Sequence, residues 1–269
     1  DGTRAQLGKR GGQAWLWSRG EELVSDRFPE LTQMGQALPD GTVLDGEIVV
    51  WRSNRVQPFA ELQKRIGRKT VSTKLLRDVP VVLLAYDILE WEGRDLRGQP
   101  LAQRRALLDE VVTQVQHPCL IASPMLTGTS WAELAREREQ ARELGVEGLM
   151  LKQRDAAYGV GRTKDSGVWW KWKIDPMSVD AVLVYAQRGH GRRASLYSDY
   201  TFAVWDAPQD APERKLVPFA KAYSGLSDAE MARVDALVRR TTVESFGPVR
   251  SVTPTMVFEL GFEGIARST

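Results

Sequence analysis

Residues 43–51, VLDGEIVVW, decide how the first half of the chain is read. Leu44, Ile48 and Val50 fall on one face of an extended segment and Asp45 and Glu47 on the other, which is the two-residue period of a half-buried strand. Two acids therefore stand side by side on a strand whose other side is apolar. Outward from it, WLWSRGEEL (15–23) reads as a strand ending in a turn at Gly20, and VVLLAYDILEW (81–91) as a buried strand with Asp87 inside it. QPFAELQKRIGRK (57–69) carries Pro58 at a helix start, Phe59, Leu62 and Ile66 at helical spacing, and Gly67 as a stop. PLAQRRALLDEVVTQV (100–115) repeats the pattern, with Leu101, Leu108, Val111 and Val115 along one side.

Further on, SWAELAREREQARELG (130–145) places Glu133 three residues after Ser130, a capping box, and ends at Gly145. The chain then enters VEGLMLK (146–152), a strand, and later WWKWK (169–173), where Trp170 and Trp172 face one way to pack and Lys171 and Lys173 the other. IDPMSVD (174–180) reads as a linker. Beyond it DAVLVYAQRG, YTFAVWD and KLVPFAKAY are strands separated by polar turns, with one helix in SDAEMARVDALVRR; this combination fits a small β-barrel of the OB type. The expected class is α+β, with a boundary near Asp175: residues 1–175 as antiparallel sheets with flanking helices and 176–269 as an all-β barrel.

Composition narrows the function. At 269 residues the chain is long for one core and suits two domains. With 42% hydrophobic and 27% charged residues it has globular composition, and no run approaches the ~20 apolar residues of a membrane span. Cys119 is the single cysteine, which excludes a multi-thiolate zinc site; it is expected to be a small buried apolar residue. The net charge is only +2, so affinity for nucleic acid has to come from clustered cations. His190 lacks metal-ligand spacing and His117 precedes Pro118 in a turn; neither is assigned a role.

Taken singly, the short motifs are turns and strand ends. Taken in order, DGTR (1–4), LWSRGEEL with RFPEL (16–23 and 27–31), LDGE (44–47), YDIL (86–89), EGLMLK (147–152) and WWKWK (169–173), followed by a candidate OB-fold, resemble the bacterial type of ATP-dependent DNA ligase. The resemblance implies a nucleotidyltransferase (adenylation) domain followed by an OB-fold. It also implies a reaction in which a lysine attacks the α-phosphate of ATP, AMP passes to the 5′-phosphate of a nick, and the 3′-hydroxyl displaces AMP. That activity serves DNA replication, repair and recombination. The partners implied are ATP, Mg²⁺ and nicked double-stranded DNA, with a monomeric protein working on the bacterial nucleoid in the cytoplasm.

In the family pattern the nucleophilic lysine stands two residues before the Asp-Gly pair, here before Asp1, and a basic motif follows a strand like MVFELGFEGIARST (256–269). Both therefore fall outside this sequence, and the chain alone is expected to bind nucleotide and DNA without forming the covalent adenylate. The resemblance assigns Arg4, Glu147, Lys171 and Lys173 to catalysis. Arg4, Arg19, Glu47, Tyr86, Arg162, Lys164, Lys171 and Lys173 are assigned to the nucleotide, Glu47 on the ribose and Tyr86 stacked on adenine. Glu147 is the metal-organising acid, and Arg19 also meets the nick 5′-phosphate. These types suit the chemistry: a lysine of pKa ~10.4 needs neighbouring cations or desolvation to attack near neutral pH. Fixed cations and a divalent ion stabilise charge on the phosphate oxygens, and one or two carboxylates suffice for magnesium.

Glu147 and Lys152 are five residues apart, so an ideal strand turns them to opposite faces unless Glu147 precedes the strand or a bulge intervenes. RGHGRR (188–193) is a basic, glycine-rich loop, and Arg188, Arg192 and Arg193 are the candidate contacts to DNA phosphates. Two other readings share parts of the pattern. A related covalent nucleotidyltransferase, an RNA ligase or an mRNA-capping guanylyltransferase, uses the same lysine chemistry; a nick-binding module would lack the upstream lysine altogether. An NAD-dependent ligase is disfavoured because its four-cysteine zinc element is impossible with Cys119 alone.

Overall fold

The strand at residues 43–51 is the middle of the first sheet. The computed structural model describes residues 2–68, 70–159 and 168–265. In chain order the first part forms β1 (Thr3–Arg10), β2 (Gln13–Ser18), α1 (Pro29–Gly35), β3 (Thr42–Arg52), β4 (Arg55–Val56), α2 (Phe59–Ile66), α3 (Thr73–Asp78), β5 (Val81–Trp91), β6 (Arg94–Asp95), α4 (Leu101–Val115), β7 (Leu120–Ala122), α5 (Trp131–Glu139), β8 (Gly148–Lys152) and β9 (Trp169–Lys173). Among the described residues, seven strands make one sheet in the order β2-β1-β3-β5-β6, with β4 on β3 and β7 on β5, while β8 and β9 pair as a separate ribbon. All pairs are antiparallel except β5 with β7.

The apolar side of β3 is as the alternation requires. Leu44, Ile48 and Val50 join Leu7, Leu16, Leu83, Ile88, Leu108 and Val111 in one core, each such side chain contributing about 1.5–3 kcal/mol when fully buried. On the acidic side Asp45 is completely buried. Helices start and stop where the prolines and glycines indicate: Pro58 and Pro100 are the N-caps of α2 and α4, and Gly67 caps the end of α2. The capping box of α5 is only half formed. The Ser130 hydroxyl accepts from the Glu133 N–H, whereas the Glu133 carboxylate accepts from the Thr129 N–H and hydroxyl instead.

The chain divides into two units, Asp1–Ile174 and Asp175–Thr269. The second forms β10 (Met177–Arg188), β11 (Tyr197–Trp205), β12 (Leu216–Ala222), α6 (Asp228–Thr241), β13 (Thr242–Phe246), β14 (Val249–Val252) and β15 (Val257–Phe262). Residues 177–180, read as linker, are already strand, because Pro176 needs no ladder donor and Met177 pairs directly with Phe262. The long β10 is shared: Met177–Val182 pairs with β15 and Tyr185–Gln187 with β14, while β11 lies along its other edge. One strand serving two neighbours across a register break is how an antiparallel sheet bends into the half-barrel of an OB-type fold. The helix α6 closes over it through Met231, Val234 and Val238, and has a complete capping box between Ser227 and Glu230.

Candidate active site

Asp45 is the hub of a polar cluster on β3. Arg4, brought alongside by the β1–β3 pairing, donates to it from Nε at 3.2 Å and from Nη2 at 2.7 Å. The Tyr86 hydroxyl donates to Oδ1 at 3.0 Å and the Tyr158 hydroxyl to Oδ2 at 2.6 Å. Tyr158 also accepts from Arg4 Nη2 at 2.6 Å, so one guanidinium nitrogen, one phenol oxygen and one carboxylate oxygen form a closed triangle. Four donor bonds explain how a carboxylate tolerates complete burial. The hydrogen bond to Asp45 raises the Arg4 pKa further, and burial, reinforced by the Asp45 charge, raises those of Tyr86 and Tyr158. All three stay in their neutral-pH forms.

Tyr86 reaches this cluster because β5 is bulged. Asp45 pairs with Asp87 and Gly46 with Ala85, leaving Tyr86 as the extra residue, turned out of the regular alternation. Its ring meets Trp169 edge-on at 6.4 Å, and Trp169 meets Tyr158 at 5.9 Å. The Lys152 ammonium lies 4.2 Å from the Tyr86 ring centroid and 4.1 Å from that of Trp169. Burial lowers its pKa to about 8, against the opposing pull of Asp87 and Asp45. The assignment of Tyr86 to both packing and ligand contact is consistent with this position, since its hydroxyl is committed while its ring borders a cation and a second aromatic.

The ribbon supplies the second group. In the β8–β9 register Lys152 faces Trp169, Met150 faces Lys171 and Gly148 faces Lys173, so Lys152, Trp169, Lys171 and Lys173 share one face. Glu147 precedes β8 and joins the same face: its Oε2 lies 3.4 Å from Lys171 Nζ and 3.2 Å from Lys173 Nζ. The break that allows this is Gly148, at φ +132°, where a Cβ would stand 2.3 Å from the Trp172 carbonyl oxygen. The five-residue conflict between Glu147 and Lys152 is thereby removed. Partial burial acts to raise the Glu147 pKa, but Lys173 and Lys171 outweigh it and the net shift is downward. On the reverse face Trp172 packs against Trp131 and Arg138 as expected; Trp170 departs from expectation and is half exposed.

Glu47 pairs across from Arg4 and accepts the Gly2 N–H at 2.7 Å, fixing the backbone just after Asp1. At Gly2 itself a Cβ would stand 2.3 Å from the Ile48 carbonyl oxygen, so glycine is required there by close approach. Arg19 is exposed at the β2 turn, its N–H bonded to the Arg4 carbonyl at 3.2 Å. It borders a concavity of about 240 Å³ with Thr3, Ser18, Glu22, Arg27 and Phe28. In the second unit Arg193 is exposed in a short helical turn, and the Arg188 guanidinium lies 5.7 Å from the Tyr197 ring. Arg162, Lys164 and the Arg192 side chain lie outside the described residues. Cys119 is half-buried, its thiol pushed up by burial, and His117 Nδ1 accepts its N–H at 3.1 Å.

Sequence reasoning missed Tyr158, Trp169 and Arg104. Arg104 was detectable: it falls on the apolar stripe of α4 between Leu101 and Leu108, and a buried arginine needs a buried acid. That acid is Asp87, the charge inside the apolar strand, at 2.8 and 2.9 Å with both side chains fully buried. No comparable periodicity marks Tyr158.

The site combines a fixed guanidinium, two half-exposed ammonium groups, an ionised carboxylate and aromatic ring edges on one side of a sheet and ribbon. Such a set suits a ligand with a planar base and a polyphosphate. Among the described residues no group of three or more His, Cys, Asp and Glu forms a protein-only metal cage. The donor set fits magnesium in one mode, through Glu147 together with ligand phosphate oxygens and water. No helix of the described residues is long and apolar enough to cross a membrane.

Residues 1–173 match the family model described as ATP dependent DNA ligase domain. Relatives include a "Probable DNA ligase" of Koribacter versatilis (strain Ellin345), 35% identical over 100% of this chain and 49% of its own length. A "Probable DNA ligase" of Opitutus terrae is 36% identical over 100% of this chain and 29% of its own. The chain thus spans half or less of the length of these relatives. Among solved structures, the ligase domain of M. tuberculosis LigD is 26% identical with a TM-score of 0.54, covering 99% of this chain and 82% of that one. The mycobacterial DNA ligase D complexed with ATP and MES is 25% identical with the same TM-score, over 99% and 82%. The residues that carry the site lie inside the matched segment, and the chain belongs to the ATP-dependent DNA ligase domain family.

Proposed function

We propose that this chain is the catalytic core of an ATP-dependent DNA ligase that seals nicks in duplex DNA through a lysyl-AMP and a DNA-adenylate. The observation that carries the reading is the shared face of Glu147, Lys152, Trp169, Lys171 and Lys173 beside the Asp45-fixed guanidinium of Arg4. In this reading residues 1–175 are the nucleotidyltransferase domain and 176–269 the OB-fold domain. The family pattern puts the attacking lysine two residues before Asp1, and Glu47 holds the backbone N–H of Gly2. A solved relative complexed with ATP supports ATP as the nucleotide donor.

Arg4, Lys171 and Lys173 hold the phosphates, where charge accumulates in transfer. Two ammonium groups in the same pocket lower the pKa of a third amine, which favours the nucleophilic form of the lysine. Glu47 serves the ribose, the Tyr86 ring the base, and Arg19, Arg162 and Lys164 further phosphate oxygens. Magnesium bound at Glu147 would supply Lewis-acid stabilisation of phosphate charge. Displacement of Lys171 and Lys173 from the carboxylate toward phosphate is the local rearrangement such binding requires. Arg19, Arg188, Arg192 and Arg193 contact DNA phosphates without reading sequence. The protein acts as a monomer on the nucleoid in the cytoplasm.

The test uses the full-length protein with α-labelled ATP, magnesium and a nicked duplex. A covalent AMP–protein adduct followed by sealing is expected. Covalent GMP in its place, or sealing of RNA but not of nicked DNA, would overturn the reading in favour of a related nucleotidyltransferase.

A further inference from the structure

The buried Asp87–Arg104 pair has no part in the chemistry described above, yet it sits directly behind it. Arg104 of α4 holds Asp87 of β5 through two bonds. Its remaining nitrogen bonds the carbonyl of Gln99 and that of Ala156 at 3.3 Å. The first turn of α4 adds two backbone bonds to the same passing segment, Leu101 N–H to the Ala156 carbonyl and Ala102 N–H to the Arg154 carbonyl, both 2.9 Å. A third runs from the Tyr158 N–H to the Arg97 carbonyl at 2.8 Å. The segment 153–158 is therefore strapped across the start of α4. It ends in Tyr158, whose ring lies 5.8 Å from the Arg104 guanidinium carbon and whose hydroxyl closes the triangle with Arg4 and Asp45.

We propose that Arg104 is a positioning residue for Arg4, acting through the 153–158 strap and the Tyr158 hydroxyl. Asp45 holds the guanidinium by a fork from Nε and Nη2; the Tyr158 oxygen adds a third bond on Nη2, and Arg104 backs the Tyr158 ring and its strap. Asp87 is consumed by Arg104, which also keeps it from pairing with the nearby Lys152. The inference rests on Arg4 serving the nucleotide phosphate, since a misplaced cation there slows transfer more than it weakens binding.

The experiment compares Tyr158→Phe, Arg104→Lys and the double variant in the full-length protein, with two readouts. The first is independent of activity: in ¹⁵N-arginine-labelled protein the Arg4 Nη2 protons are expected to exchange with water more slowly in the wild type than in each variant, where the Tyr158 bond is lost or loosened while the Asp45 fork remains. The second is single-turnover adenylylation, expected to fall about tenfold or more in each single variant, as for loss of a charge-assisted hydrogen bond. ATP affinity is expected to change less than the rate constant, and the double variant to be no slower than the slower single. Asp87→Asn, which keeps an acceptor for Arg104, replaces Arg104→Lys if that variant fails to fold. Arg4 Nη2 exchange that is unchanged in the variants, or rate losses that multiply in the double, overturn the proposal. Absence of adenylylation in the wild type would count against the ligase reading alone, and the resonance measurement would still decide the positioning role.

Discussion

The ammonium of Lys152 stands 4.2 Å from the centre of the Tyr86 ring, on the ring that the ligase pattern gives to the base. Its folded pKa is about 8, lowered by burial, against ~10.4 in an unfolded chain. Between these values the unfolded state binds more protons, so stability rises with pH from about 8 to about 10.4, and below about 8 the desolvation penalty is fully present. Relative to Lys152→Met, the wild type is expected to gain on the order of 3 kcal/mol across that window. Denaturant titrations of both proteins at pH 7 and pH 10 check this; a pH-independent difference would show that the ammonium is solvated.

Glu147→Ala removes the carboxylate that bridges Lys171 and Lys173. Sealing and adenylylation by the full-length protein are expected to fall by about 10²-fold or more, while thermal unfolding moves little, because the side chain is partly exposed and bonds lysines rather than core. Chelation of divalent ions should reproduce the loss in the wild type and add nothing to it in the variant. Normal sealing by Glu147→Ala contradicts the metal assignment.

Arg104→Met strands the Asp87 carboxylate in the core and is expected to destabilise by about 3–5 kcal/mol. Adding Asp87→Leu should restore much of the loss, since an apolar pair of similar volume avoids burying a charge. Chemical denaturation of the singles and the double measures this coupling directly; additive losses would mean that the pair is not the source of the cost.

Arg188→Ala with Arg193→Ala tests the basic loop. If each contacts one phosphate, the slope of log affinity for nicked duplex against log salt should flatten by about 0.9 per contact, with no change in sequence preference. An unchanged slope would remove this loop from the DNA interface.

Much of the site was legible in the sequence because its parts lie on strands of strict alternation. WWKWK places Lys171 and Lys173 together whatever the tertiary setting, and LDGE places Glu47 opposite the Arg4 strand once β1 pairs with β3. Alternation places Asp45 on the non-apolar side of a half-buried strand, but it reports which side a residue faces and not what later covers that side. The covering groups come from positions 86 and 158, one displaced by a bulge and the other delivered by a non-periodic strap. Neither leaves a local signature. Glu147 and Lys152 were separable only by the backbone at Gly148, whose positive φ ends one alternation and begins another.

The ribbon of β8 and β9 has a consequence for the order of events. Two strands alone are marginal in water, and this pair is a sheet of its own beside the seven-stranded one, yet it carries the carboxylate and both exposed ammonium groups. A ligand whose base touches Tyr86 and whose phosphates touch Lys171 and Lys173 spans the two pieces and binds the ribbon in its folded register. On the proposed reading nucleotide acts as a splint, so the amides of residues 148–152 and 169–173 should be the ones whose hydrogen exchange slows most when ATP is added.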